Sequence, residues 1–425
     1  MLTDRSAAPC GNPFGLARVL AAVALLVSAC TQGEADAAPE RFRVDVEGGV
    51  SVARTVGGPL YDAELFTLEP LLTLSQDPDE PESLLFRAGS ITIGPDDRYY
   101  VADRGNGRIA VFDTLGRFVQ AIGREGSGPG EFRGPTVQPF AGDVLSVFDF
   151  NLQRESRFLL AGGLLETTRV PGNGLAIGLQ RLPDGRLLRY GVESREESEI
   201  GWSGRTLTLL SADGADTVWT LATDLVAENR LARVQVADGS WSTLSTDLPF
   251  PPVATAAWVP GHGFLLGAGD QPELRWYDLE GRLTRRIVFE PPIHELTAAV
   301  KRQYEERLWQ QRVAAAERRG RTPTPVRDVV YPDEPGLWSW AVADDAGNVW
   351  LLDTWSEELG LDEGRGHRFH VIAADGRYLG TTLAPTVRFQ VHGDRLTALV
   401  EDPVSGEIVP TVFRIVHAVP GLVYP

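Results

Sequence analysis

From residue 90 onward, apolar and polar residues alternate in short runs, and clusters of Gly, Asp and Asn interrupt them at a spacing of about 8 to 12 residues. A period of two places successive side chains on opposite faces of a strand, so each run reads as a half-buried strand. Many short strands at even spacing predict an all-β sandwich, barrel or propeller. Self-similarity decides among these. The phrase SITIGPDDRYYVADRGNGRIAVFDTLGRFVQAIG, residues 90–123, holds four strand-like runs parted by GPDD, RGNG and DTLG. LRWYDLEGRLTRRIVF, residues 274–289, repeats its second half, and DDAGNVWLLDTW with HRFHVIAADGRYLGTTL repeats nearly all of it between residues 344 and 383. A recurring four-strand unit is a propeller blade.

Counting these units predicts a six-bladed β-propeller over residues 43–425, with blades at 90–122, 137–170, 178–220, 254–289 and 339–383. The sixth blade has three strands in 387–418, and the run FTLEPLLTLSQD, residues 66–77, has no partner of its own. That run is expected to supply the outer strand of blade 6, joining the two ends of the ring and removing an open edge. With strands A to D running outward from the channel, A–B and C–D turns share one face, and these turns are tight and rich in Asp and Gly. The opposite face receives four long segments, 191–204, 222–252, 291–336 and 353–366. Long loops gathered on one rim point to function there. One of them, the insertion 291–337 between blades 4 and 5, predicts a helix carrying a stripe of Leu296, Val300, Tyr304 and Leu308, stopped by Gly320 and Pro323. It reads equally as a lid over the channel mouth or as a cap on the core.

The stretch VADRGNGRIAVFDTLGRFVQAIGREGSGPGEFRGP resembles an NHL repeat, in which an Asp, an Asn and an Arg share one turn ahead of a Gly-Phe-Pro connection. Asp103, Asn106 and Arg108 match the turn, and Phe112, Gly116, Gly123, Phe132 and Pro135 match the rest. The match is close over this one unit and fades to turns and spacing elsewhere; with it the chain resembles bacterial six-bladed β-propeller lipoproteins with NHL-type repeats, a likeness that implies a fold more than an activity. GREGSGPGEF has the glycines of a phosphate cradle, but no GxxxxGK[ST] and no helix following it, so it reads as a crossover between blades.

At the N-terminus, Arg5 and Arg18 precede the apolar run 19–27 and small residues before Cys30, which is a signal-peptide layout. The run is about half the roughly 20 residues a membrane-spanning helix needs. LLVSAC resembles the bacterial lipobox, which implies cleavage after residue 29 and acylation of Cys30. Two or three acyl chains hold a protein on a membrane more durably than one. Thr31 stands where inner-membrane lipoproteins resembling this one carry Asp, which points to the outer membrane. Residues 30–42 read as a flexible tether, and with Cys10 removed and Cys30 acylated no disulfide is expected.

Formal charge is −18, and no basic cluster stands apart along the sequence, so no nucleic-acid partner is expected. The candidate ligand face comprises Asp103, Asn106 and Arg108 in the blade 1 B–C turn, Asp149 and Asn151 in blade 2, and Asp353 and Trp355 in blade 5. Asx side chains at such turns bond nearby amides. In regucalcin and gluconolactonase-type propellers, carboxylates and amides near the channel mouth bind a divalent metal, so an oxygen-ligand site is the alternative for these residues. His367 and His370 lie three apart on an expected strand, which sends their rings to opposite faces. The chain has no HExxH and no GxSxG. Two readings follow. The first is a lipid-anchored envelope module that needs no cofactor and binds a protein, peptide or glycan on the long-loop face. The second is a metal-dependent lactonase or lyase at the channel mouth.

Overall fold

The computed structural model describes residues 41–425 apart from 75, 76, 78, 139, 141, 171–175, 198, 199, 236–240, 260, 293, 324, 327, 328, 402–407, 423 and 425, and without the side chains of 195–200 and 227–247. The signal segment, the lipobox with Cys30, and most of the tether therefore lie outside the described residues. Six antiparallel blades form the ring. Blade 1 is Ala88–Ile93, Tyr99–Asp103, Arg108–Phe112 and Phe118–Ile122, and blade 2 runs from Pro135–Val137 to Leu164–Arg169. Blades 3, 4, 5 and 6 begin with the inner strands Ala176–Arg181, Thr255–Val259, Trp338–Ala343 and Phe389–His392. The strand Phe66–Thr73 closes blade 6 by pairing with Ile408–His417, so the ring is shut by strands from the two ends of the propeller.

Turn chemistry explains the regularity. Asp113 Oδ1 accepts from the amides of Leu115 and Arg117, and Asp278 Oδ1 accepts from those of Glu280 and Arg282, the same Asx device at the C–D turns of blades 1 and 4. The core is divided among the gaps between blades, because each blade buries both faces against its neighbours. Trp350 and Phe369 of blade 5 meet Leu396 and Phe413 of blade 6, and Phe148 of blade 2 meets Leu179 and Leu187 of blade 3.

Three features depart from the expected arrangement. A hairpin of Phe42–Glu47 and Val50–Thr55 adds to the outer edge of blade 4, where residues 51–55 run parallel to 285–289. Segment 191–204 is not a loop for most of its length, since strands Leu187–Glu197 and Ile200–Leu210 stay paired through it. The crossover 222–252 likewise holds a hairpin, Val226–Gln235 with Trp241–Asp247, whose first strand pairs with the far end of Ile200–Leu210. Both corrections have one cause: the protruding ribbon offers free amides and carbonyls, and a neighbouring segment satisfies them.

The helix α1 spans Ala298–Arg318 between blades 4 and 5. Thr297 is its N-cap, accepting from the amide of Val300, so Leu296 precedes the helix and does not extend its stripe. A second helix, α2, Thr354–Leu359, occupies the blade 5 B–C connection. Among the described residues, no helix is long and apolar enough to cross a membrane.

Candidate functional site

Asp103 ends the second strand of blade 1 and is fully buried. One carboxylate oxygen accepts from the amide of Phe86 at 2.8 Å, and the other from Asn106 Nδ2 at 2.8 Å and Arg108 Nε at 2.9 Å. Arg108 also donates to the carbonyls of Glu82 and Leu84. The three NHL-like residues thus lock one another and the chain entering blade 1. Asp149 occupies the same place in blade 2, where it is buried and accepts from the amides of Arg133 (2.7 Å), Gly134 (3.2 Å) and Leu152 (2.9 Å). Asn151 is exposed, and its Nδ2 donates to the carbonyl of Arg133 at 2.9 Å. The oxygens of both aspartates are spent on the crossovers. Asp103→Asn is therefore expected to cost about 1–3 kcal/mol of stability, as a buried charged acceptor is lost, and thermal unfolding checks it.

In blade 5, Asp353 caps α2 by accepting from the amides of Trp355 and Ser356. His370 lies 3.4 Å from its other oxygen and contacts the Tyr378 hydroxyl at 2.7 Å, whereas His367 pairs with Glu357. Burial would raise the Asp353 carboxyl, but His370 and the cap amides hold it below the usual range. Trp355 is buried between Phe250 and His294, with ring centroids at 4.6 and 5.0 Å, and Tyr304 of α1 packs on the far side of Phe250. The insert is thus pinned to blade 5. Nearby, Asp362 takes two 2.7 Å bonds from Arg368 and one from Ser356, which hold its carboxyl down against burial. Because its folded pKa is depressed, the stabilisation is present above the unfolded carboxylate pKa and is lost as pH falls through the folded one. Asp362→Asn should lower the melting temperature at neutral pH, and the gap to the parent should close in acid.

The channel mouth on this face is arginine-rich. A cavity of about 550 Å³ opens among the inner strands of blades 1, 2 and 3, and Arg87, Arg104, Arg133 and Asn151 line it with no acidic residue among them. A second cavity, about 420 Å³, shares Arg104, Arg133 and Asn151 and has Glu125 on its wall. Arg104 Nε donates to the carbonyl of Pro135 at 3.2 Å, and its Nη2 donates to Thr136 Oγ1 at 2.9 Å. Burial, then the positive charges of Arg388 and Arg87, hold this guanidinium below the usual arginine range. The side chain is exposed and lines both cavities. Among the described residues, no carboxylate pairs with Arg87, Arg104, Arg133 or Arg388.

The fold builds this cluster. Arg87, Arg133 and Arg388 stand just before the inner strands of blades 1, 2 and 6, and Arg104 follows Asp103. Asp103 grips the amide preceding Arg87, and Asp149 grips that of Arg133 itself. Arg87 holds φ 59°, a left-handed value that costs a side-chain-bearing residue energy. A Cβ on Gly89 would collide with the Arg104 guanidinium, so glycine there makes room for it. These arginines were not singled out in the sequence. Their recurrence at the entry to successive inner strands is the signal that could have found them.

Residues 82–171 match the model of DUF5128, a six-bladed beta-propeller family. The match covers blades 1 and 2, the blades that supply Arg87, Arg104 and Arg133. Comparison with curated protein sequences gives no match. Solved structures with a similar chain path include a Bacteroides fragilis protein whose name marks it provisionally as exported, at 12% identity and TM-score 0.47, covering 86% of this chain and 99% of that one. They also include virginiamycin B lyase from Staphylococcus aureus, at 9% identity and TM-score 0.35, covering 82% and 99%. Regucalcin, a calcium-binding protein from Agrobacterium tumefaciens, aligns at 13% identity and TM-score 0.33, covering 84% and 97%. Neither ligand nor reaction follows from likenesses at this level. Among the described residues, no group of three or more His, Cys, Asp or Glu lies close enough to hold a metal ion.

Proposed function

We propose that this protein is a lipid-anchored envelope binding module whose long-loop face takes a protein, peptide or glycan ligand through an anionic group held at the channel mouth. The observation that carries this reading is the cavity of about 550 Å³ lined by Arg87, Arg104 and Arg133, with Arg388 near enough to act on Arg104, and among the described residues no carboxylate pairs with any of the four. Guanidinium groups match carboxylates and phosphates in two-pronged geometry, and converging positive charges in a concave site raise the local concentration of anions. A propeller alone selects no ligand, so the site bears the argument. Titration calorimetry with acetate, inorganic phosphate, an acidic peptide and an oligouronate tests it. At least one anion should bind, more weakly as salt rises, while a polycationic peptide should not; absence of binding by every anion at low salt would refute the reading.

The membrane anchor rests on the LLVSAC segment. Cys30→Ser is expected to move the protein from the membrane pellet to the soluble fraction, and mass spectrometry of the mature N-terminus should find acyl chains on residue 30 of the parent. Recovery of an unmodified Cys30 from the parent would remove the anchor from the proposal.

A further inference from the structure

The channel mouth is two-sided. Beside the arginines, Phe150 and Ile177 are 41% and 42% exposed, and Ile177 also lines a third cavity of about 220 Å³. That cavity is walled chiefly by apolar groups from blades 3, 4 and 5, among them Ile177, Val253, Ala256, Trp340 and Ala341, with Arg205 also on its wall. Trp340 stands on the inner strand of blade 5 and remains 41% exposed, although Trp338 on the same strand is buried. A monomeric fold has no use for an indole turned to water beside an isoleucine in a concave site, whereas a ligand does. The arginines of the cationic half come from blades 1 and 2, and the apolar half belongs to blades 3, 4 and 5. Ile177 is common to both cavities and marks their junction.

We infer that the group entering the channel is a carboxylate bearing an apolar body, with the acid at Arg104 and its neighbours and the body against Ile177 and Trp340. This deepens the anion-binding reading and rests on it. A purely polar acid such as a uronate would leave the apolar half wet, and a neutral apolar molecule would leave the arginines without a counter-charge. The chemistry has two natural sources, the free C-terminus of a peptide ending in an aromatic or aliphatic residue, and a free arylalkyl acid. Both carry the carboxylate and the apolar group on one molecule, which two cavities meeting at Ile177 can take together.

Titration calorimetry on the full chain, blanked against its buffer and detergent, separates the cases with five probes: N-acetylphenylalanine, N-acetylglycine, N-acetylphenylalaninamide, 3-phenylpropionate and inorganic phosphate. N-acetylphenylalanine should bind at least about tenfold more tightly than N-acetylglycine, as expected for burying a benzyl group, and the amide should bind weakly. Trp340→Ala, at a partly exposed position, should erase that advantage and leave N-acetylglycine and phosphate binding unchanged. Ile177→Ser, on the wall the two cavities share, should also lower the affinity for N-acetylphenylalanine, so that a misfolded variant at one position does not decide the outcome. Equal binding of 3-phenylpropionate identifies a free acid as the source, and tighter binding of N-acetylphenylalanine identifies a peptide end; both uphold the inference. If the glycine and phenylalanine probes bind equally and neither substitution matters, the apolar half is not a ligand site, although the anion site stands. If no anion binds, the anion site falls, and this inference with it.

Discussion

Arg104→Glu should weaken anion binding by more than about a hundredfold while leaving the propeller as stable as before, or more stable. A charge-assisted hydrogen bond to a ligand is worth about 1.5–3 kcal/mol, and reversing the charge adds repulsion to the loss. The stability half follows from the surroundings of Arg104. Its own bonds go to a carbonyl and a hydroxyl, and the charges of Arg388 and Arg87 disfavour its protonated form. A base whose folded pKa is lowered is destabilising while charged, so removing that charge relieves the fold. Calorimetric titration and thermal melting of the same variant check both halves. A variant that binds as well as the parent would remove Arg104 from the site, and one that melts much lower would show that the arginine serves the fold.

The second large effect concerns closure. Phe66 begins the strand that shuts blade 6, is buried, and packs its ring 4.4 Å from Tyr424 and 5.6 Å from Trp350. Tyr424 in turn donates to the buried Asp344 and accepts from Trp350 Nε1, both at 2.6 Å. Phe66→Ala should cost about 3–5 kcal/mol, the transfer free energy of the ring plus that of the cavity it leaves. The loss should exceed that of a comparable truncation elsewhere in the strand, because the same ring joins the N-terminal strand, the C-terminal segment and blade 5. Thr67→Ala, on the exposed side of the strand, should stay within about 0.5 kcal/mol of the parent. Denaturant unfolding of the two variants makes the comparison, and similar midpoints would mean that closure does not hold the ring together.

Local chemistry accounts for what could be read without coordinates. Strand alternation and Asp-Gly turns are short-range signals, so the recurring unit, the six blades and the need for 66–73 to complete the last of them follow from residues close together in the chain. The hairpin 42–55 on blade 4 could not be read this way, since its partner strand lies more than 200 residues downstream. The paired ribbon in 191–204 looked like a polar loop because its residues, GVESREESEIGWSG, carry no regular apolar alternation to detect.

The site shows the same division. Asp103, Asn106 and Arg108 were visible as a motif, because they sit within one turn. The structure buries Asp103 and spends its oxygens on the Phe86 amide and on Asn106 and Arg108. Arg87, Arg133 and Arg388 recur at the entries to inner strands, but nothing along the chain shows that they converge with Arg104, and Arg388 joins the others only when the ring closes and brings blade 6 beside blade 1. The sequence by itself determined the repeating strands, the turns and how many blades they make, because these depend on neighbours in the chain. Only the tertiary structure decided which charges gather without counter-charges and which apolar groups stay open beside them, because ring closure sets those distances.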